Sequence, residues 1–265
     1  MSLAKHPPGM PHTIYHSLWK AIDWVYPPTC SGCQKSKARW CNQCQSQVSV
    51  IGENICPICG EPQNNKQICA DCLSVRPPFD ALRSFGIFKG PLREALHCLK
   101  YKKDIGISET LSLYLINMLK TLNWELDLIT AVPLSQKRLK ERGYNQSDWL
   151  SRPLSLYFGI PFVSQALERF RDTRSQVGLS AIERQTNVHG AFHSKASLVG
   201  GKNILLVDDV TTTGATIQSC TSALLQAGAG RVFGLTVARA ANHSDQAADL
   251  IEIPASRTEY GTELG

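Results

Sequence analysis

Residues 203–217 read Asn203-Ile204-Leu205-Leu206-Val207-Asp208-Asp209-Val210-Thr211-Thr212-Thr213-Gly214-Ala215-Thr216-Ile217, and this stretch decides the fold. Ile204 to Val207 is a short apolar, partly β-branched run, as in a strand buried on both faces. Two adjacent carboxylates, Asp208 and Asp209, follow where that strand is expected to end. Thr211, Thr212, Thr213 and Thr216 then surround Gly214 in a turn, and Ile217, Cys220 and Leu224 follow at helical spacing. A helix start of this kind offers free backbone N–H groups and the positive end of a dipole, and threonine hydroxyls add donors. Glycine lets the backbone come close to an anion. The acid pair cannot bind phosphate, but it accepts hydrogen bonds from vicinal hydroxyls or holds Mg²⁺ through water. Phosphate donors beside diol acceptors fit a ribose 5-phosphate. The competing reading is a polar turn that only caps a helix. Strand, acid pair, Thr/Gly turn and helix in one continuous run count against it.

Working outward, Val207 to Thr216 resembles the 5-phosphoribosyl-1-pyrophosphate (PRPP) loop of type I phosphoribosyltransferases. Upstream, Leu126 to Val132 reads as a strand, and Val132-Pro133-Leu134-Ser135 stands where a pyrophosphate-binding loop would lie. Exposed amides there, with Arg138 and Arg142 beyond them, suit a diphosphate. A solvated basic helix start is the plainer reading of the same residues. Between the two loops, residues 169–192 are polar, basic and weakly periodic, with Arg171, Arg174 and Arg184 among them. They resemble the flexible catalytic loop of phosphoribosyltransferases, a lid that brings in cations and excludes water.

Other elements follow from periodicity. Ile14 to Tyr26 reads as an amphipathic helix with Leu18, Ile22 and Val25 on its apolar face, and Leu82 to Phe88 as a strand. Pro91 suits the first position of a helix that ends in Lys100-Tyr101-Lys102-Lys103, and residues 108–122 form another helix. Trp149 to Phe158 looks helical apart from Pro153, and Phe162 to Ala166 reads as a strand. Arg231 to Ala238 is expected to close the sheet.

Eight of the ten cysteines fall in four C-x2-C pairs: Cys30/Cys33, Cys41/Cys44, Cys56/Cys59 and Cys69/Cys72. Each knuckle offers two thiolates to one tetrahedral metal, so the four pairs fit two structural zinc ions. The simple sequential assignment gives Cys30, Cys33, Cys41 and Cys44 to one ion and Cys56, Cys59, Cys69 and Cys72 to the other; the spacing leaves a cross-braced assignment open. Disulfides would need an oxidising compartment. A closed four-cysteine site has no open position for a substrate, which speaks against zinc catalysis.

The formal charge is +6, and residues 241–265 carry five acids against Arg257, which leaves +10 on residues 1–240. A basic body suits polyanions or phosphorylated ligands. There is no secretory apolar segment and no run near 18 apolar residues, so a cytoplasmic protein without membrane insertion is expected. No GxxxxGK[ST] occurs, which argues against a P-loop nucleotide hydrolase. The expected organisation is a disordered N-terminus (1–13), a helix and zinc module (14–75), an α/β domain (80–240) and an acidic tail (241–265).

The order of motifs is narrower than the superfamily. Two four-cysteine sets precede Arg142-Gly143-Tyr144-Asn145-Gln146. Thr173-x-Ser175-Gln176-x2-Leu179 and Arg184-x2-Asn187 follow, and then the acid-pair loop. This order resembles the ComF family, competence proteins with a phosphoribosyltransferase-like domain, linked to uptake of transforming single-stranded DNA in bacteria. The resemblance implies an α/β fold with an open parallel sheet of type I phosphoribosyltransferase kind, preceded by a small double zinc-ribbon module. It implies PRPP with Mg²⁺ at the carboxyl ends of the strands, in keeping with the rule for open α/β sheets. The 5-phosphate would lie on Thr211, Thr212, Thr213, Gly214, Ala215 and Thr216, the ribose on Asp208 and Asp209, and the pyrophosphate on Val132, Pro133, Leu134, Ser135, Arg138 and Arg142. Arg171, Arg174 and Arg184 would come from the lid. Three functions fit: transfer of the phosphoribosyl group to an unknown acceptor, a non-catalytic module that binds PRPP and single-stranded DNA, or a scaffold that contacts DNA-uptake proteins through the zinc module. Trp19, Trp24, Trp40 and Tyr101 are the stacking platforms available to the second.

Overall fold

The computed structural model describes residues 10–25, 27–35, 37–170, 190–240 and 250–252. Helix α1 (Met10–Val25) comes first, and α2 (Asn42–Ser46), β1 (Ser49–Ile51) and α3 (Ala70–Ser74) lie in the cysteine-rich region. Then come β2 (Ala81–Ile87), α4 (Gly90–Tyr101), α5 (Ile107–Thr121), β3 (Leu128–Ala131), α6 (Gln136–Arg142) and α7 (Gln146–Phe158). The chain continues through β4 (Leu167–Arg169), β5 (Phe192–Ser194), α8 (Ala196–Val199), β6 (Asn203–Thr211), α9 (Ala215–Gln226), β7 (Arg231–Arg239) and β8 (Leu250–Glu252).

The main sheet has the order β3-β6-β7-β2-β1-β8. Its first four strands are parallel, and β1 and β8 add on in antiparallel fashion. Strand β7 therefore lies inside the sheet, between β6 and β2, and does not close it. Helices cover both faces, which is why β6 is an unbroken buried run from Ile204 to Asp209. On one face α4, α5 and α7 pack against Phe85, Val207 and Leu235, with Tyr114 stacked on Phe85 at 4.3 Å. On the other, α9 and the β4–β5 pair pack against Leu82, Leu206 and Val232. Burying side chains of this size contributes about 1.5–3 kcal/mol each.

Local chemistry explains the helix starts. Pro91 occupies the first turn of α4, whose buried Leu92, Ala95, Leu96 and Leu99 repeat every three or four residues. Ser135 caps α6, accepting from Arg138 N at 3.4 Å, and Asn145 caps α7, accepting from Ser147 N at 3.2 Å.

Three further expectations change. Phe162 to Ala166 makes a single bridge from Phe162 to Ile129 and a short 3₁₀ turn at Ser164–Ala166, and the strand lies next to it at Leu167–Arg169. Helix α1 turns its other face inward. Leu18, Ile22 and Val25 are exposed, whereas His12 and Tyr157 meet edge to face at 5.2 Å and Trp19 meets Trp149 at 6.5 Å. Aromatic edges and the His16–Glu109 pair outcompete the aliphatic stripe for the docking surface. Finally, Leu250–Glu252 of the expected tail pairs with β1, and β1 itself extends the α/β sheet through Val50↔Gly86. The cysteine-rich region is thus built into the sheet edge, and Phe79, in the expected linker, is buried.

Candidate functional site

The Thr/Gly turn and the Val132 loop leave the carboxyl ends of adjacent parallel strands, with Ala131 in register with Val207. Strand β6 extends further than the sequence implied. Val210 and Thr211 still pair with Ala238 and Arg239 of β7, so the acid pair sits within the last turns of a strand. Tertiary pairing overrides the poor strand preference of aspartate here.

Both acids are buried, Asp208 at 8% exposure and Asp209 at 4%. Ser147 Oγ donates to Asp208 Oδ1 at 2.9 Å, and Asp209 N donates to the same oxygen at 2.9 Å. Lys100 Nζ lies 2.5 Å from Asp209 Oδ2. Burial, followed by the charge of Asp209, pushes the Asp208 carboxyl up to about 7, and Lys100 opposes that shift. The pair is therefore already partly neutralised by the protein's own cation and is not a bare metal cage.

Beside the acid pair, the Thr211–Thr216 turn runs from the end of β6 into α9. Gly214 has φ 77, a left-handed value that non-glycine residues rarely adopt, and it precedes the first residue of α9. Thr213 Oγ1 accepts from Ala215 N at 3.4 Å. The Thr211 hydroxyl is buried and has no partner among the described residues.

The Val132 loop is fixed from behind by Arg142-Gly143-Tyr144-Asn145-Gln146. Tyr144 OH donates to the Leu99 carbonyl, Arg142 Nη1 to Gln146 Oε1, and Asn145 Nδ2 to the Val132 carbonyl at 3.1 Å. The Arg142 guanidinium also lies over the Tyr101 ring at 5.4 Å. One short run thus ties the loop, α4 and the start of α7 together, and the start of α7 delivers Ser147 to Asp208. Of the site residues expected from sequence, Asp208, Asp209, Thr211–Thr216, Val132–Ser135, Arg138 and Arg142 gather at this end of the sheet. Arg171, Arg174 and Arg184 lie outside the described residues; the strands on either side of that segment, β4 and β5, pair through Glu168↔His193. Ser147 escapes sequence reasoning, and for Lys100 the sequence leaves a solvated surface end and a ligand contact equally open. Lys100 reads as part of a charged helix end, and only the tertiary fold shows that it faces the acids.

The eight cysteines form two separate sets, Cys30/Cys33/Cys41/Cys44 and Cys56/Cys59/Cys69/Cys72, with ligand atoms within 4.8 Å of one another in each. This is the sequential assignment. No disulfide joins any of the ten cysteines. A tetrahedron with Zn–S bonds of about 2.3 Å has sulfur–sulfur edges of about 3.8 Å. Cys33 and Cys41 sulfurs are 3.8 Å apart, and Cys59 and Cys69 sulfurs 3.6 Å. Backbone N–H groups point at the sulfurs, Cys41 N to Cys30 Sγ at 3.4 Å and Cys69 N to Cys56 Sγ at 3.5 Å, as suits thiolates. The donor sets fit zinc.

Fold and site together define a class: a double zinc ribbon built onto a phosphoribosyltransferase-like α/β domain. Comparison with known proteins agrees. Residues 21–73 match the double zinc ribbon domain and residues 150–251 the phosphoribosyl transferase domain. The chain is 36% identical over 198 residues to the DNA utilization protein YhgH of Escherichia coli (strain K12), covering 72% of this chain and 86% of that protein. It is 34% identical to competence protein F of Haemophilus influenzae (76% and 90% covered) and 30% identical to competence protein ComFC of Bacillus subtilis (77% and 86% covered). The chain belongs to the ComF family. No described helix is long and apolar enough to cross a membrane.

Proposed function

We propose that this protein binds PRPP at the carboxyl end of β3 and β6 and acts in the uptake or use of transforming DNA. The observation that carries the PRPP reading is the buried Asp208–Asp209 pair flanked by two donor-rich loops on adjacent strands. The Thr211–Thr216 turn takes the 5-phosphate through backbone N–H groups and hydroxyls. Asp208 and Asp209 accept from the ribose hydroxyls. Val132–Ser135, Arg138 and Arg142 face the pyrophosphate, and Arg171, Arg174 and Arg184 are assigned to the lid on sequence alone. Mg²⁺ bound together with PRPP would supply Lewis-acid neutralisation of the pyrophosphate charge, and Asp208 and Asp209 are the residues that would hold it through water.

If the ligand is consumed, the bond from ribose C1 to the pyrophosphate oxygen breaks and the electron pair leaves with pyrophosphate. A nucleophile of the acceptor then bonds to C1. The carboxylates lower the energy of the positive charge that develops on the ring between these events. Lys100 pairs with Asp209, and Ser147 orients Asp208. Calorimetric titration with PRPP, with and without Mg²⁺, is the test. Wild-type protein should bind, and Asp208→Asn and Asp209→Asn should weaken binding at least tenfold, the loss of a charge-assisted hydrogen bond. No binding by the wild type, or equal binding by both variants, would sink the reading. Pyrophosphate release with candidate acceptors separates an enzyme from a module that only holds PRPP.

Two observations favour an additional surface for single-stranded DNA. Trp24 is 87% exposed and Tyr101 66% exposed, and Arg142 lies beside Tyr101. The relatives' names, DNA utilization and competence protein, point the same way. Of the four aromatic platforms, Trp40 packs against the core and Trp19 is half-buried against Trp149, which leaves the exposed rings of Trp24 and Tyr101 for stacking. A gel shift that weakens steeply with salt, and that is reduced in Trp24→Ala and Tyr101→Ala, is expected; a salt-independent or absent shift rejects it. DNA-uptake proteins are the partners this role implies.

A further inference from the structure

The second cysteine set is fastened to the sheet just below the phosphate turn. Leu82 N donates to the Ile58 carbonyl at 2.7 Å, and Arg83 Nη2 to the Pro57 carbonyl at 2.9 Å. Gly60 has φ 71, and a Cβ there would stand 2.4 Å from the Leu82 carbonyl oxygen, so the knuckle closes on β2 only with glycine. Arg239, at the end of β7, is 3% exposed. Its Nη1 donates to Glu61 Oε2 at 2.6 Å and its Nη2 to the Cys59 carbonyl. Both acceptors belong to the Cys56/Cys59 knuckle of the second set, one on a metal-ligating residue and one two positions beyond it.

Arg239 is also the register partner of Thr211, the first residue of the phosphate turn. Ala240 N donates to the Thr211 carbonyl at 2.8 Å. An apolar path runs in parallel. Cys56, Ile58 and Cys72 share one buried cluster with Leu82, Ala215 and Ile217, the last two in the first turn of α9. Arg239 Nε and Thr211 Oγ1, opposite each other at the foot of the turn, are buried without partners among the described residues. The guanidinium is therefore held by the ribbon and still has an unused donor beneath the phosphate turn.

We infer that Arg239 is a positioning residue through which the metal of the second ribbon sets the geometry of the phosphate turn, so that PRPP affinity depends on zinc in that ribbon. This rests on the PRPP reading given above. Without the metal, the loop carrying Glu61 and the Cys59 carbonyl is no longer held in place. A buried guanidinium without its carboxylate then pulls toward solvent and draws the end of β7 with it.

The test compares wild type, Arg239→Met, Cys69→Ser and the double variant in the full chain, by calorimetry with Mg²⁺-PRPP and by zinc content. Arg239→Met and Cys69→Ser should each weaken PRPP about tenfold, and the double variant should lose no more than either, the mark of one shared path. Cys69→Ser should bind one zinc fewer than the wild type. Undiminished affinity in Cys69→Ser, or losses that multiply in the double variant, would overturn the inference. If Cys69→Ser fails to melt cooperatively, Glu61→Gln replaces it, since it keeps all eight thiols and removes the carboxylate charge that faces Arg239. Equal PRPP affinity of Glu61→Gln and wild type is then the overturning result. Absence of PRPP binding by the wild type itself is a separate outcome that removes the phosphoribosyl reading first.

Discussion

The two ribbons share the same spacing logic and the same pattern of two buried and two half-buried ligands, yet they are attached in different ways. The first is fastened to α1, α4 and the loop after α4 through side chains, and Ser31 Oγ donates to Asp104 Oδ2 at 2.5 Å. Cys98 Sγ donates to the Ser31 carbonyl at 3.5 Å, Gln34 Nε2 to Cys98 Sγ at 3.4 Å, and Arg39 pairs with Asp23 and, at 3.5 Å, with Asp104. The second is fastened to β2 and β7 by backbone pairing, a buried guanidinium and a shared apolar cluster. Each reaches a different side of the candidate site. The first leads through α4 to Lys100 and so to Asp209; the second leads through Arg239 to Thr211. Repeating a metal knuckle does not repeat its mechanical role, because that role is set by what the knuckle is packed against.

The largest expected effect breaks the comparison directly. Cys30 and Cys56 are both fully buried first ligands of their sets. Cys56→Ser should lower the melting temperature by on the order of 10 °C, since losing the metal also opens the apolar cluster under the sheet. Cys30→Ser should cost about half of that. Equal shifts in a thermal melt would mean that the attachments are equivalent. Next in size is Gly60→Ala. The left-handed φ and the clash with a backbone oxygen leave no side chain to give way, and a loss of about 3 kcal/mol is expected from denaturant melts. Gly32→Ala, in the first ribbon, meets Cys44 Sγ at 2.7 Å, which is a clash with a ligand; it should appear chiefly as weaker zinc retention at the first site.

A third variant probes the path from the first ribbon. Lys100→Met leaves Asp209 buried and without its cation. PRPP affinity should change by about 2 kcal/mol, roughly thirtyfold, because a buried charge left unpaired costs more than the pair gained. Lys100→Arg should recover part of it. An unchanged affinity in calorimetry would place Lys100 outside the site.

Much of this site was legible because it is local. The acid pair, the threonine turn, the Val132 loop and the cysteine knuckles each lie within about a dozen residues, where spacing alone carries the geometry. What sequence could not supply is contact across the chain. Ser147 meets Asp208, Lys100 meets Asp209, and Arg239 meets Glu61, and no periodicity connects such distant pairs. The face of α1 was misread for a related reason. Leu18, Ile22 and Val25 form a proper helical stripe, but docking was decided by Tyr157 and Trp149 of α7 and Glu109 of α5, residues far along the chain. The region joining ribbon and α/β domain looked like a linker because its prolines are visible in sequence, whereas the burial of Phe79 and the pairing of β1 are not.

The smallest expected effect is a pH dependence that sharpens the acid side of the comparison. Burial and the neighbouring Asp209 raise the Asp208 carboxyl to about 7 from an ordinary value of 3.8. A carboxyl raised on folding stabilises the fold fully below its unfolded value, and that contribution is lost as the pH rises from 3.8 through about 7. Ligand binding runs the other way, because ribose hydroxyls need the ionised form as acceptor. For one group with that pKa the ionised fraction grows about tenfold between pH 6 and pH 8, so PRPP affinity should rise by about that factor across the window. Asp208→Asn should flatten the rise. Lys100→Met should move its midpoint upward, since Lys100 is the charge that opposes the shift. Cys33→Ser, by loosening the first ribbon from α4, should move the midpoint in the same direction and by less, while Arg239→Met should leave the midpoint in place and change only the affinity. A midpoint that follows Arg239 and ignores Lys100 would reverse the assignment of the two ribbons to the two sides of the site.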